Sequence, residues 1–386
     1  MAKYSDFDRV MEAVNHSKNS AMEAENLVKH GASSKSLMSR GNFVIAFLAL
    51  FVAFGGCNKQ EGMNENSNLF LAEMPGSSLL NMTIDNNNVF YFVTVEIDKE
   101  AMENWPPYSN SMPCRYYLSR KKDETSNFEV LDDRFIGGNL CFDKNNQMWS
   151  WTATTIYKSE GKSYKKIIEL PYDGGLFNSF AVDNDNNIWV GGWKTGLLKI
   201  DSRLNITRFD SELLSNDVQN IHVDKSNNIW IALCNRGIVK KSKDKWVVYD
   251  NVSSQNIWCL VTDKNGHLWI GTGHFNEEYQ SLRRFDGTQW ETINPRNDKN
   301  EHVKGTVRFL QSDGNKIYAV AEHVDVFPSG GGAQMTANEL LSFDGNKWKK
   351  ISEVPDDANI FDLIVDHYRQ ALWVITNKGI YKIPKT

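Results

Sequence analysis

The chain has 386 residues, 41% hydrophobic and 12% aromatic, so it can bury a sizeable core and wholesale disorder is excluded. Its formal net charge of −5, with acids and bases interspersed, gives no nucleic-acid footprint. Five cysteines (Cys57, Cys114, Cys141, Cys234 and Cys259) are scattered with no Cys-x-x-Cys pair, so neither zinc nor dithiol chemistry has a sequence signal.

Residues 1–37 form a polar, partly amphipathic extension. Met38, directly before Ser39 and Arg40, sits where an ordinary signal peptide starts, and is the expected true start. Residues 43–54, FVIAFLALFVAF, are too few to span a bilayer comfortably and suit the apolar region of a signal peptide over 38–56, with Lys35 and Arg40 as its positive flank. The run ends Phe54-Gly55-Gly56-Cys57, which resembles a lipobox, although Phe54 stands where an aliphatic residue is usual. Cys57 is therefore the expected lipidation site. Each buried acyl CH₂ contributes roughly 0.8 kcal/mol, and two or more chains hold a protein stably on a membrane. An uncleaved helical anchor and a plain signal peptide are the alternatives. Residues 57–67 read as a polar tether. The expected location is the envelope of a Gram-negative-type bacterium, lipid-anchored to the outer membrane on its periplasmic or outer side.

From 68 onwards one short pattern recurs seven times. Its clearest copies are VDNDNNIWVGG (182–192), VDKSNNIWIAL (223–233) and TDKNGHLWIGT (262–272). Weaker ones are IDNNNVFYFV (84–93), FDKNNQMWSW (142–151), QSDGNKIYAV (311–320) and VDHYRQALWVI (365–375). In five copies an Asp stands six residues before the aromatic; the sixth has Ser312 there and the last has one extra residue. The fourth copy reads as four short strands: VQNIHVD alternates, KSNN turns, IWIAL is apolar, GIVKKS follows, and WVVYD closes. Asp and Asn bond their own backbone, and Asn and Gly tolerate φ > 0, so the pattern builds a turn. Trp149, Trp189, Trp230, Trp269 and Trp373 are predicted in second strands, packed between neighbours. The expected fold is all-β: a seven-bladed β-propeller of four-stranded blades over 68–386. The last repeat lacks a fourth strand, so NLFLAEM (68–74) is expected to complete it and close the ring. Cys141 and Cys259 fall in inner strands, as small buried hydrophobes.

These repeats, with D-x-x-x-N/G-x-I/L-W-I/V-G and a trailing G-L/I-x-K/R most regular over 175–290, resemble the two-component regulator propeller repeat. The resemblance implies a sensor-type propeller of the kind carried outside the membrane by hybrid histidine kinases. It is specific for fold and weak for function.

Aromatic landmarks lie 39 to 41 residues apart in regular copies but 58, 49 and 55 apart in three places. The excess falls in predicted links between second and third strands: 97–113 in blade 1, 273–281 in blade 5 and 322–338 in blade 6. Insertions on one face of a repeat protein often mark its binding face. Candidate ligand-binding residues are Trp105, Tyr108, Trp193, His274, Phe275, Glu277, Tyr279, His323, Asp325 and Phe327, with Glu278 and Glu322 as further acceptors. The leading expectation is non-catalytic binding of a glycan, a peptide or an envelope partner. A second is an enzyme similar to the streptogramin lyases, with a metal held either by His274 and Glu277/Glu278 or by Glu322, His323 and Asp325. A third is a scaffold in an envelope complex. No catalytic residue, metal ligand or cofactor is assigned.

Overall fold

Each repeat closes into one antiparallel sheet because its turn chemistry recurs at fixed offsets between short apolar runs. The computed structural model describes residues 78–98, 113–171, 175–250, 257–273, 282–297, 299–303, 305–326 and 333–385, with residues 74, 76, 101 and 252. Seven sheets follow along the chain, over 78–132, 139–169, 176–209, 218–249, 257–292, 306–350 and 360–384. The first six have four strands in sequence order; the seventh has three among the described residues. In blade 4 the strands are Val218–Val223, Ile229–Leu233, Gly237–Ser242 and Lys245–Tyr249, as the sequence predicts.

First strands lie side by side between blades 1 and 2 and along blades 3 to 7, which puts them innermost. Seven apolar clusters fill the gaps between successive blades. One of them joins Ala371, Trp373 and Ile380 of blade 7 to Leu79, Met82 and Phe90 of blade 1, so the blades close into a ring. The protein is a seven-bladed β-propeller. The expected closing strand 68–74 lies outside the described residues except for Met74, which is buried in this same cluster.

The six-residue spacing from Asp to Trp has a cause beyond turn propensity. Asp224 Oδ1 accepts the backbone N–H groups of Ser226 and Asn228, both at 2.9 Å, while Oδ2 accepts the Trp230 indole N–H at 3.0 Å. Asp143, Asp183 and Asp263 hold Trp149, Trp189 and Trp269 in the same way at 3.1, 2.8 and 3.1 Å. Blade 7 inserts a residue and keeps the bond, Trp373 to Asp366 at 3.1 Å. Blade 6 is one residue shorter, and there the Tyr318 hydroxyl donates to Asp313 at 3.0 Å. The residue three after the Asp is left-handed, with φ of 62°, 60°, 62° and 63° at Asn88, Asn146, Asn186 and Asn227, which explains the recurring Asn.

The trailing Lys or Arg of five repeats also acquires a role. Lys158, Lys199, Lys240, Arg284 and Lys382 lie directly across the sheet from Trp149, Trp189, Trp230, Trp269 and Trp373. Their cationic groups sit 4.5–5.8 Å from the ring centroids. Each indole is thus fixed at its edge by a carboxylate and over its face by a cation. The Gly two residues after Trp makes room for the next blade: a Cβ on Gly191 would stand 2.4 Å from Val218 Cγ1.

Antiparallel order sorts the connections onto two faces. First-to-second and third-to-fourth turns share one, and there the Asp turns are stitched blade to blade. Asn86 N–H donates to Asn146 Oδ1 at 2.8 Å, and those of Lys144 and Asn184 to Asn186 and Asn227 Oδ1, both at 2.7 Å. Arg369 carries the stitching across the closure by donating to Asn88 O at 2.6 Å. Second-to-third and blade-to-blade connections open on the opposite, loop face.

Candidate functional site

In blades 2, 3, 4 and 7 the second-to-third connections are short, 152–154, 194–195, 234–236 and 377–378. In blade 1 the connection is 98–113, and in blade 5 it is 273–281. Blade 6 corrects the sequence reading. Within 322–338, residues 322–326 and 333–338 are not loop but continue the two middle strands, Ile317–Val326 and Ala333–Phe343, paired as far as Val326 with Ala333. The physical reason is that turn-forming Pro328, Ser329 and Gly330 to Gly332 are confined to the middle, while the flanks alternate like strands. His323 and Asp325 are therefore strand residues.

Of the predicted ligand residues, Trp193 is placed with its side chain: it ends the second strand of blade 3, Ile188–Trp193, and is 37% exposed on the loop face. Trp105, Tyr108, His274, Phe275, Glu277, Tyr279 and Phe327 lie outside the described residues, as do Glu278, the apolar run 43–54 and Cys57.

Where the insertions of blades 5 and 6 leave their sheets, the structure shows a polar floor that the sequence reading missed. Six first strands carry a β-bulge near their loop-face end, with Leu80, Asn178, Gln219, Trp258, Arg308 and Phe361 as the extra residues. A bulge re-aims the side chain it carries. Gln219 Oε1 accepts the Ile257 N–H at 3.0 Å, and Asn220 Nδ2 donates to Trp258 O at 3.2 Å. The Trp258 indole in turn donates to Gly273 O at 3.2 Å, at the root of the blade 5 insertion. The Arg308 guanidinium lies 5.2 Å from the centroid of the Trp258 ring, and its Nη1 donates to Glu322 Oε2 at 3.4 Å.

The Glu322 side chain is 3% exposed against 36% for Arg308. Burial raises the Glu322 carboxyl's pKa, and the guanidinium opposes that rise. Across the strand pair from Glu322 is Asn338. Its Nδ2 donates to Ala358 O at 3.2 Å, whereas its buried Oδ1 has no partner among the described residues. On the first strand of blade 7, Ile360–Asp366, burial pushes the Asp362 carboxyl up to about 6, against the pull of the Leu363 N–H. Burial likewise lowers the His222 imidazole to about 4, opposed by the Asp224 carboxylate, while its Nε2 meets Thr262 Oγ1 at 2.9 Å. Cys114, Cys141, Cys234 and Cys259 are free thiols. Cys141 and Cys259 sit in first strands as predicted, their thiols pushed up by burial.

Such a floor can hold a polar ligand in a fixed orientation, with a cation stacked on an indole, a buried carboxylate and an unmatched amide oxygen. The signal that could have found it is a mismatch between repeats. The sixth copy places Arg and Glu where the others place apolar, amide or small residues, but the bulge shifts Arg308 out of simple alternation.

Residues 251–274 match the family described as two component regulator propeller. No curated protein matches the chain in sequence. Among solved structures, the extracellular domain of a putative hybrid two component system from B. thetaiotaomicron is similar at 15% identity and a TM-score of 0.51, over 85% of this chain and 39% of that one. This chain therefore spans well under half of that neighbour's length. Virginiamycin B lyase from Staphylococcus aureus is similar at 10% identity and a TM-score of 0.57, over 79% of this chain and 94% of that one. PorZ, a bacterial surface component of the type-IX secretion system of Porphyromonas gingivalis, is similar at 12% identity and a TM-score of 0.53, over 84% and 47%. At such identities the likeness is one of fold. The chain is a seven-bladed β-propeller whose residues 251–274 match the two component regulator propeller family.

Proposed function

We propose that this chain is a membrane-tethered, non-catalytic binding propeller of sensor type, which takes a glycan or peptide ligand on its loop face over blades 5 and 6. The observation that carries the reading is the contrast between faces. Turns on one face are short and stitched to one another, while on the other the nine-residue connection 273–281 of blade 5 begins, and the lengthened strands of blade 6 continue, beside Trp258, Arg308 and Glu322. A rigid ring under variable loops is a common arrangement for recognition. Attachment through Cys57, and a place outside the cytoplasm, follow from the lipobox-like Phe54-Gly55-Gly56-Cys57. They agree with neighbours that are an extracellular domain of a putative hybrid two component system and a surface component.

The test uses the full chain in detergent on glycan and peptide arrays. It is compared with a variant in which 274–281 is replaced by the Asn-Lys link of blade 7. Array signal should be lost with an unchanged melting temperature. Equal signal from the variant would overturn the reading. Chemical conversion of a bound ligand, stopped by EDTA, would overturn its non-catalytic part and favour the lyase-like alternative.

A further inference from the structure

Blade 6 breaks the repeat at two places that are bonded to each other. At the bulge, where blade 6 has Arg308, other blades hold Leu80, Asn178, Gln219, Trp258 and Phe361, none of them charged. The position of Glu322, next outward from the bulge on the second strand, is Val95, Trp193, Cys234, Gly273 and Asn377 in the other bulged blades. Five blades fold with neither charge, so the pair is not needed to build a blade. Burying a carboxylate is unfavourable unless it is well paired and hydrogen-bonded. Among the described residues Glu322 has one long 3.4 Å contact, from a guanidinium that is itself 36% exposed. A costly exception confined to one repeat is where function is expected.

The exception does fix Arg308. One of its nitrogens is tied to Glu322 and its guanidinium carbon stands 5.2 Å from the Trp258 ring centroid. Its Nε and Nη2 have no hydrogen-bond partner among the described residues. A guanidinium held in this way offers parallel N–H donors, a fork that matches a carboxylate. Beside the pair, the buried Asn338 Oδ1 is a second polar atom without a protein partner among the described residues.

We infer that Arg308 anchors a ligand carboxylate at the loop face, with Glu322 as the positioning residue that holds the guanidinium in place. The inference rests on the binding reading above and narrows its ligand to one bearing a carboxylate.

Isothermal titration of the full chain in detergent tests it with two matched pairs of probes. One pair is N-acetyl-trialanine with a free C-terminus and its C-terminal amide; the other is glucuronate and glucose. The carboxylate member of at least one pair should bind ten-fold or more tightly than its neutral partner, and which pair does so identifies the source. Arg308→Lys should reduce that preference several-fold, because charge remains but the fork is lost. Arg308→Met should abolish it. Glu322→Gln should reduce the acid-over-neutral preference at an unchanged melting temperature, which a merely structural role would not do. Circular dichroism melting checks that each variant folds; if Arg308→Met does not, Arg308→Lys carries the test. Equal binding of acid and neutral probes, or a preference that survives in Arg308→Lys and Glu322→Gln, would overturn the inference while leaving the binding reading intact. Failure of both carboxylates to bind would also overturn it, and the array comparison then decides separately whether the loop face binds anything.

Discussion

If the Asp-to-indole bond sets the repeat's spacing, breaking it in one blade should cost far more than a surface turn substitution. Asp224 is 9% exposed; its Oδ1 serves two backbone amides, and its Oδ2 serves the Asn228 side chain and the Trp230 indole. Asp224→Asn keeps the shape but replaces one acceptor oxygen with a donor. Whichever way the new amide turns, either the indole or the two turn amides face an N–H₂. A hydrogen bond to a charged group contributes about 1.5–3 kcal/mol, and leaving a buried donor unmet costs on the order of 1–3 kcal/mol. These overlap, so the expected loss is about 2–3 kcal/mol. The assay is urea unfolding in a double-mutant cycle. Trp230→Phe removes the same bond from the other side, so Asp224→Asn with Trp230→Phe should be less destabilising than the sum of the singles by about 1–2 kcal/mol. An additive cycle, or Asp224→Asn within about 0.5 kcal/mol of the parent, would mean that the Asp serves turn geometry alone.

Cys57→Ala should leave the propeller folded and move it from the membrane to the soluble fraction, since the acyl chains supply the membrane affinity; retention of an unprocessed chain in the membrane would identify a helical anchor. Deleting 68–74 should lower the melting temperature of the whole domain, because it removes Met74 from the cluster that joins blades 7 and 1; an unchanged melting temperature would refute the closure. For Asp362, burial raises the folded pKa to about 6, above the unfolded carboxylate value, so the stability it contributes is present below about pH 4 and lost as pH rises through 6. Asp362→Asn should therefore match the parent near pH 4 and gain up to about 3 kcal/mol at pH 8. A difference that does not change with pH would exclude a buried, shifted carboxyl; comparing variant with parent cancels His222, which titrates in the opposite sense.

What the sequence made legible was the part of the fold that repeats. Seven copies of one turn fix blade number, strand order and the burial of Trp149, Trp189, Trp230, Trp269 and Trp373, because each is imposed by local chemistry. The partners that lock those indoles were visible as letters but not as contacts. The Asp six residues before reads as a turn former, and the Lys or Arg after Gly reads only as part of the repeat pattern, whereas register puts both on the same ring. Blade 6 misled for the same local reason: 322–338 contains a Pro-Ser-Gly-Gly-Gly stretch that reads as loop, yet His323 and Asp325 belong to strands that outrun their neighbours.

The floor of the site was illegible for a different reason. A β-bulge shifts register by one residue, and one residue in a strand is the difference between a core-facing and an outward side chain. Repeat averaging conceals such positions further, since it rewards what blades share, whereas Arg308 and Glu322 matter through what blade 6 does not share with the others. The two effects act together here. The bulge recurs in six blades and so belongs to the scaffold, but it carries a different side chain in each: Gln219, then Trp258, then Arg308 across blades 4 to 6. A scaffold that repeats its geometry while varying one side chain per blade can evolve a binding floor without disturbing the indole clamps that hold the ring together. By this argument, exchanging the bulge residues Gln219 and Arg308 should leave the melting temperature within a few degrees of the parent and move the carboxylate preference. Loss of folding would instead make the bulge side chains part of the core.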